Sequence, residues 1–290
     1  LVVHQNPLEE ISCSAVVGAA IAEHYLPQGA HSLLPSTELG VLLSLADKLD
    51  SLCLMINAGI DVKGNKDPLG LRRLAIGIAR LIGLKGEKSA LPFVLKQILD
   101  LTFDVFALSQ IKLLPEGIEK TYQFILERIK HAWREEFSSH VVDATAAKAS
   151  TLSLIHLREF TKALESALLP NDEASVLNSL LPYRRARNLT QHISYNYDIC
   201  VQPNLFQHET ETRLFECLQA AESKVTECFH SGNYYTLLRE LALLGAPLED
   251  FFNHVMVNDQ NQTIKENRLA LLYKVKKLYE NVAEFSYIQA

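Results

Sequence analysis

Apolar residues recur every three to four positions over most of this chain, and strict alternation is rare. From Leu71 the apolar positions Leu71, Leu74, Ala75, Ile78, Leu81 and Ile82 follow the i, i+3, i+4, i+7 spacing, which predicts an amphipathic helix with one buried stripe. Asp67 is placed to be its N-cap and Pro68 its first residue, where a missing N–H costs nothing. On that wheel Arg73 and Arg80 point away from the stripe and Arg72 flanks it. A second helix is predicted from an N-cap at Ser36 to about Asn57, burying Leu39, Leu42, Leu43, Ala46, Leu49 and Cys53. Asp50 projects onto that face and Asp47 sits at its margin, so both carboxylates are expected to need a polar partner.

The same period predicts helices over 8–23, 90–109, 116–137, 141–150, 157–169, 172–181, 209–229, 233–244, 248–255 and 264–287. Pro and Gly fall between these runs, and no repeat of fixed length is visible. The expectation is an all-α protein of about a dozen helices, with at most a small hairpin joining 255–257 to 263–264. Trp133, near the end of its helix, is expected in the core. On the last helix Ile264, Leu271, Leu272, Val275, Leu278, Tyr279 and Val282 share a broad face, and Arg268 projects into it. A structural role is therefore favoured for Asn267 and Arg268, while Lys274 and Lys277 lie outside that face as usable phosphate contacts.

Two stretches carry candidate chemistry. The start of the helix at Leu71 gathers backbone N–H groups, a favourable dipole end, Lys66, Arg72 and Arg73, which together suit an anion such as phosphate. Tyr183-Arg184-Arg185-Ala186-Arg187-Asn188 is the densest basic cluster. Arginine forks bind two phosphate oxygens at once, while Asn188 and Tyr183 could read or stack on bases. The plain alternatives are a capped surface helix and a solvated basic turn. The ten histidines form no i, i+4 metal pair and meet no nucleophile motif, and phosphate loops of the Walker or dinucleotide type are absent.

Composition narrows the field. The 290 residues are 48% hydrophobic with a net charge of −6, so any nucleic-acid binding has to come from local patches. The five cysteines are odd in number and widely spaced; Cys217 and Cys228 lie about 16 Å apart along one predicted helix, too far for a disulfide. Free thiols in a reducing cytoplasm are expected. No signal peptide is visible, and the longest apolar run, around Ala15–Ala22, is far short of the roughly 20 residues that span a bilayer. The chain starts at Leu1 without an initiator Met and is expected to be a piece of a longer protein.

Several segments, in collinear order, resemble the β subunit of bacterial glycyl-tRNA synthetase. Lys66-Asp67-Pro68 followed by Leu71-Arg72-Arg73 is similar to its G-S-K-D-P-F-A-L-R-R signature, with Asn65, Leu69 and Gly70 departing from Ser, Phe and Ala. Glu23-His24-Tyr25-Leu26-Pro27 and Ala46-Asp47-Lys48-Leu49-Asp50 have counterparts there in a context resembling an HD domain, the metal-dependent phosphohydrolase fold. Asp47 matches the final HD ligand, but the adjacent His-Asp pair is missing, so no metal site is expected. Arg184, Arg185 and Asn188 match the family's A-N-K-R-V-x-N-I, with Arg187 an added charge. Phe251 to Val257, Asn267-Arg268-Leu269 and Val282 to Ser286 match its C-terminal F-F-D-x-V-M-V, N-R-L and V-A-D-I-S, with Asn253 and Glu284 in place of Asp.

The resemblance implies a degenerate HD-like domain over 1–110, a helical body over 111–204 and a helical anticodon-binding domain over 205–290. It implies a cytoplasmic protein that holds tRNA(Gly); the expected contacts are Lys66, Arg72, Arg73, Arg184, Arg185 and Asn188 in the matching segments, with Arg187, Lys274 and Lys277 added from the pattern of charges. It places ATP- and Mg²⁺-dependent glycine activation on a catalytic α subunit or fused α part. No catalytic residue or cofactor is expected in this chain, and no membrane partner. The rival readings are an HD-type nucleotide phosphohydrolase and a helical scaffold that binds only protein.

Overall fold

The structure is a computed structural model and describes residues 7–60, 67, 69–86, 90–168, 175–193 and 200–288, with side chains from residue 15 onward. The described residues form α1 (Pro7–Glu23), α2 (Glu38–Asn57), α3 (Leu71–Leu81), α4 (Leu95–Leu108), α5 (Pro115–Trp133), α6 (Ser139–Ala146), α7 (Leu154–Ala167), α8 (Leu177–Thr190), α9 (Glu209–Ser231), α10 (Tyr234–Ala242), α11 (Gly245–His254) and α12 (Gln262–Val282). Among them there is no strand. The stretch 255–257 is loop, not hairpin: Val255 and Val257 are buried, and the Met256 carbonyl accepts from Arg268 Nη1 at 3.0 Å, so its alternation anchors a loop. No described helix is long and apolar enough to cross a membrane. The chain divides into two compact units, Leu1–Glu136 with Lys148–Arg158 and Phe137–Ala147 with Glu159–Ala290.

In the first unit α2, α3 and α5 pack on one another, α1 lies against α2 and α4 against α5. Trp133 is buried as its position predicts, its indole N–H donating to the Leu84 carbonyl at 2.9 Å. The buried face of α2 differs from the one the sequence suggests. Val41, Ser44, Leu45, Lys48, Leu49, Leu52 and Cys53 face inward, whereas Leu39, Leu42 and Leu43 are exposed. Asp47 and Asp50 are exposed as well, so neither is the inward carboxylate that the wheel suggests. The cause is non-local: Ser44 donates to the Leu26 carbonyl, and Lys48 Nζ donates to Tyr25 O at 3.1 Å, His24 O at 3.3 Å and Ser44 Oγ at 2.9 Å. A leucine-rich helix offers several apolar faces, and these polar contacts select one. The N-cap is Thr37, whose side chain accepts from Gly40 N; Ser36 instead donates to the Glu23 carboxylate. Arg80 is another reversal. It is buried, with Nη1 donating to Gly29 O at 3.1 Å and Ser32 O at 2.6 Å, because α3 is covered by a loop on the side its wheel leaves to solvent.

In the second unit α8 packs against α10, α11 and α12, and α9 against α10, α11 and α12. The expected stop before Pro182 does not occur: α8 runs from Leu177 through the proline to Thr190. A proline there cannot donate to the carbonyl four residues earlier, that of Asn178. The first residue of α11, Gly245, approaches this point so closely that a Cβ on it would stand 3.2 Å from Asn178 O and 3.0 Å from Ser179 Cα. Those are backbone atoms and cannot swing aside. Gly245→Ala is therefore expected to separate α11 from α8 and cost about 1–3 kcal/mol, read as a lower midpoint in urea unfolding. Tyr183 lies in the core rather than beside the arginines as a stacking platform. Its ring is stacked on Tyr279 at 4.5 Å and meets Phe285 edge-on. The predicted apolar face of α12 is buried along its length.

Candidate RNA-binding surfaces

The three segments of the first unit that the sequence singles out converge on one cleft. Tyr25, Pro27, Gln28, Asp47, Lys48, Leu69, Gly70, Arg73 and Leu74 line a space of about 250 Å³. Lys48, only 3% exposed, spends its three N–H donors on neutral oxygens, and burial pulls its pKa below the ordinary lysine value while Asp47 opposes that shift. Arg73 stands exposed at the rim and Arg72 is half-buried, whereas Lys66 and Pro68 lie outside the described residues.

Asp67 is not the N-cap residue. Gly70 takes that position at a left-handed φ of 72°, a conformation that favours glycine. The Asp67 carboxylate reaches past it to accept from Leu71 N at 2.8 Å and Arg72 N at 3.0 Å. The negative group at the start of α3 is thus the chain's own, and those two amides are not left for a phosphate. Asp67→Ala should loosen α3 by about 1 kcal/mol; an unchanged thermal unfolding curve would count against this role.

In the second unit Leu181, Pro182, Arg184, Arg185, Asn188 and Leu189 of α8 face Glu249, Phe252 and Asn253 of α11 across a cleft of about 530 Å³. The three arginines are not equivalent. Arg184 donates through Nη2 to the Ile288 carbonyl, which ties the segment after α12 to α8. Arg185 is exposed, with its guanidinium 4.4 Å over the Phe252 ring. Arg187 lies 3.5 Å from Glu284, both partly exposed.

Residues 9–147 match the family model described as glycyl-tRNA synthetase beta subunit, and residues 179–285 match the model described as DALR anticodon binding domain. The chain is similar to the glycine–tRNA ligase beta subunit of Anaeromyxobacter sp. (strain K), 32% identical over 277 residues that make up 94% of this chain and 38% of the relative. The protein of the same name from Methylobacillus flagellatus is 32% identical over 279 residues, 94% of this chain and 37% of its own length. The one from Rickettsia felis is 32% identical over 271 residues, 93% and 38%. The chain belongs to the glycyl-tRNA synthetase β-subunit family. It spans less than two-fifths of the length of these curated relatives.

Within this family pattern, two departures meet in space: Arg187, the added charge, pairs with Glu284, which stands where the family has Asp. The family's N-R-L segment builds an internal network. Asn267 exchanges two hydrogen bonds with the Gln202 backbone, at 2.8 and 3.0 Å. Arg268, 5% exposed, donates to Glu211 at 2.9 Å, Asp259 at 2.7 Å, the Met256 carbonyl and Gln207. Glu211 also accepts from the amide of His208, closing a capping box at the start of α9. Lys277 is exposed but lies 3.4 Å from Glu280, and Lys274 is half-buried. The basic residues therefore fall into two sets, Arg72 and Arg73 in the first unit and the α8 and α12 groups in the second.

Lys48, Glu249 and Phe252 are site residues that the pattern reading passes over. Lys48 sits inside the quoted Ala46–Asp50 segment, and its signal is the row Val41, Leu45, Lys48, Leu52 at helical spacing. Glu249 and Phe252 are three apart on α11 and share a face, but nothing in the sequence says that this face meets α8. Among the described residues no three His, Cys, Asp or Glu side chains come together as a metal-binding set.

Proposed function

We propose that this chain is the RNA-holding part of a glycine–tRNA ligase β subunit. Its task is to fix tRNA(Gly) so that the 3′ end reaches a pocket on a catalytic α subunit or fused α part, where ATP and Mg²⁺ serve glycine activation. The observation that carries the reading is the α8–α11 cleft, which falls within the stretch matching an anticodon binding domain. It sets an exposed guanidinium, an exposed carboxamide and apolar side chains beside one another. Cations there fix phosphates without reading sequence, and unstacked bases are read by stacking and by polar edges. Holding a substrate in register is itself a catalytic contribution, because it removes orientational freedom before the chemical step.

A gel shift tests this. The 290-residue chain is titrated with tRNA(Gly) and with an unrelated tRNA at several salt concentrations. Expected is preferential, salt-sensitive binding of tRNA(Gly). Absence of binding at low salt would leave a protein-binding scaffold as the better reading, and equal binding of the two tRNAs would overturn the selection for tRNA(Gly).

A further inference from the structure

We propose that the first unit carries a site for a small organic monoanion, an apolar body ending in one carboxylate, in the cleft between the end of α2 and the middle of α5. This cleft of about 550 Å³ shares no lining residue with the Lys48 cleft or the α8–α11 cleft, and its volume is that of a small-molecule site. Its apolar side is Ile56, Ile60, Leu71 and Phe124. The backbone holds that side in place. Gly59, at a left-handed φ of 80°, closes α2: its N–H donates to the Ile56 carbonyl and the Ile60 N–H to the Met55 carbonyl, each at 3.0 Å. Leu71 is buried and its amide is taken by Asp67, so the start of α3 is not what would draw an anion here.

The charge comes from α5. Lys120, Phe124 and Arg128 recur at four-residue spacing, a row whose ends are about 12 Å apart by the rise of the helix. Neither Lys120 nor Arg128 forms an ion pair or side-chain hydrogen bond with another described residue. The Arg128 guanidinium lies 5.5 Å over the Phe124 ring, and its Nε–H is buried without an acceptor. A shielded N–H left unpaired is costly. Turning the last torsions of Arg128 toward the cleft exchanges it for a fork that grips both oxygens of a carboxylate. Glu127, the other charged residue of the lining, is already engaged by Lys130 at 3.1 Å. Two cations against one carboxylate leave the described lining one positive charge, which matches one negative charge and not a phosphate monoester's two. The apolar side calls for a body beyond the charged end, and acetate or glycine brings none.

The test titrates the full 290-residue chain with 1-naphthoate, followed by ligand-observed NMR. A Kd of about 1 mM or tighter is expected for a ligand of that size. Naphthalenemethanol, the same body without the charge, should bind about tenfold weaker, and acetate should not compete. Arg128→Gln should weaken naphthoate about tenfold and Lys120→Gln, at an exposed position where folding is not at stake, about threefold. The neutral alcohol's affinity should stay within about twofold in both variants, which a misfolded protein would not allow. The thermal midpoint of Arg128→Gln should not fall, because the side chain it removes holds an unpaired N–H. Absence of naphthoate binding would overturn the site. So would equal binding of the acid and the alcohol, or a naphthoate affinity that both variants leave untouched. Tighter binding of 1-naphthyl phosphate would overturn the choice of a monoanion, and displacement of naphthoate by tRNA(Gly) would give the cleft to RNA instead.

Discussion

Arg268→Ala is expected to destabilise the second unit by about 3–5 kcal/mol, the usual cost of removing one partner from a buried ion pair. The arginine is 5% exposed and Glu211 is fully buried, so the variant strands a carboxylate with no solvent to take the guanidinium's place. The same change frees the Met256 carbonyl, Gln207 and Asp259, which lie on the loops leading into α9 and α12. Glu211 is also half of the capping box on α9, so the damage extends to a helix that Arg268 does not belong to. Urea unfolding followed by far-ultraviolet circular dichroism reads the loss; a midpoint within error of the parent would mean that the network carries no net stability. Arg268→Lys keeps the charge but not the planar fork, and its loss should fall between the two.

Acid adds a second measurement on the same network. Asp259 is held below the ordinary carboxylate pKa of 3.8, first by the Asn261 backbone N–H and then by Arg268. A carboxylate with a depressed folded value binds fewer protons folded than unfolded, so its contribution is complete above about pH 4 and fades as pH falls through the lowered value. Asp259→Asn should flatten that acid limb of the stability curve and leave the neutral region's slope as it is.

How legible all this is in the sequence depends on whether the deciding contact is local. Trp133, Arg268 and the buried face of α12 follow from 3.6-residue spacing alone, because one stripe on each helix is clearly the most apolar. In α2 several faces are apolar, and the one that wins is chosen by Ser44 and Lys48 reaching carbonyls 18 to 24 residues away. Arg80 is decided similarly by carbonyls about 50 residues away. A proline inside α8 reads as a stop, yet tertiary packing from α10, α11 and α12 carries the helix through it. The family signature marks Asp67 as notable, but its role is set by a turn that places Gly70 in the left-handed region and sends the carboxylate forward. The arginines of α8 are visible as a cluster. That two of them, Arg184 and Arg185, face Glu249 and Phe252 requires α11 to be beside them.

Replacing Arg184, Arg185 and Arg187 together by glutamine is expected to weaken tRNA(Gly) binding about 10- to 100-fold at low salt, and to flatten its salt dependence by about 0.7–0.9 log units for each phosphate no longer gripped. The geometry ranks the three. Arg185 has no carboxylate partner among the described residues and should account for most of the change in slope. Arg187 already shares its charge with Glu284, so its removal also unmasks a carboxylate, and the fall in affinity should exceed what a single phosphate explains. Arg184 is tied to the Ile288 carbonyl, and its single variant should lower stability more than it lowers RNA affinity. Arg185→Lys separates charge from shape: the salt slope should persist, because a cation remains, while affinity falls with the loss of the flat group over Phe252. Binding isotherms at four salt concentrations give the slope for each variant. If the triple variant keeps the parent's slope, phosphate is being gripped elsewhere, and Arg73 at the rim of the Lys48 cleft becomes the next cation to remove.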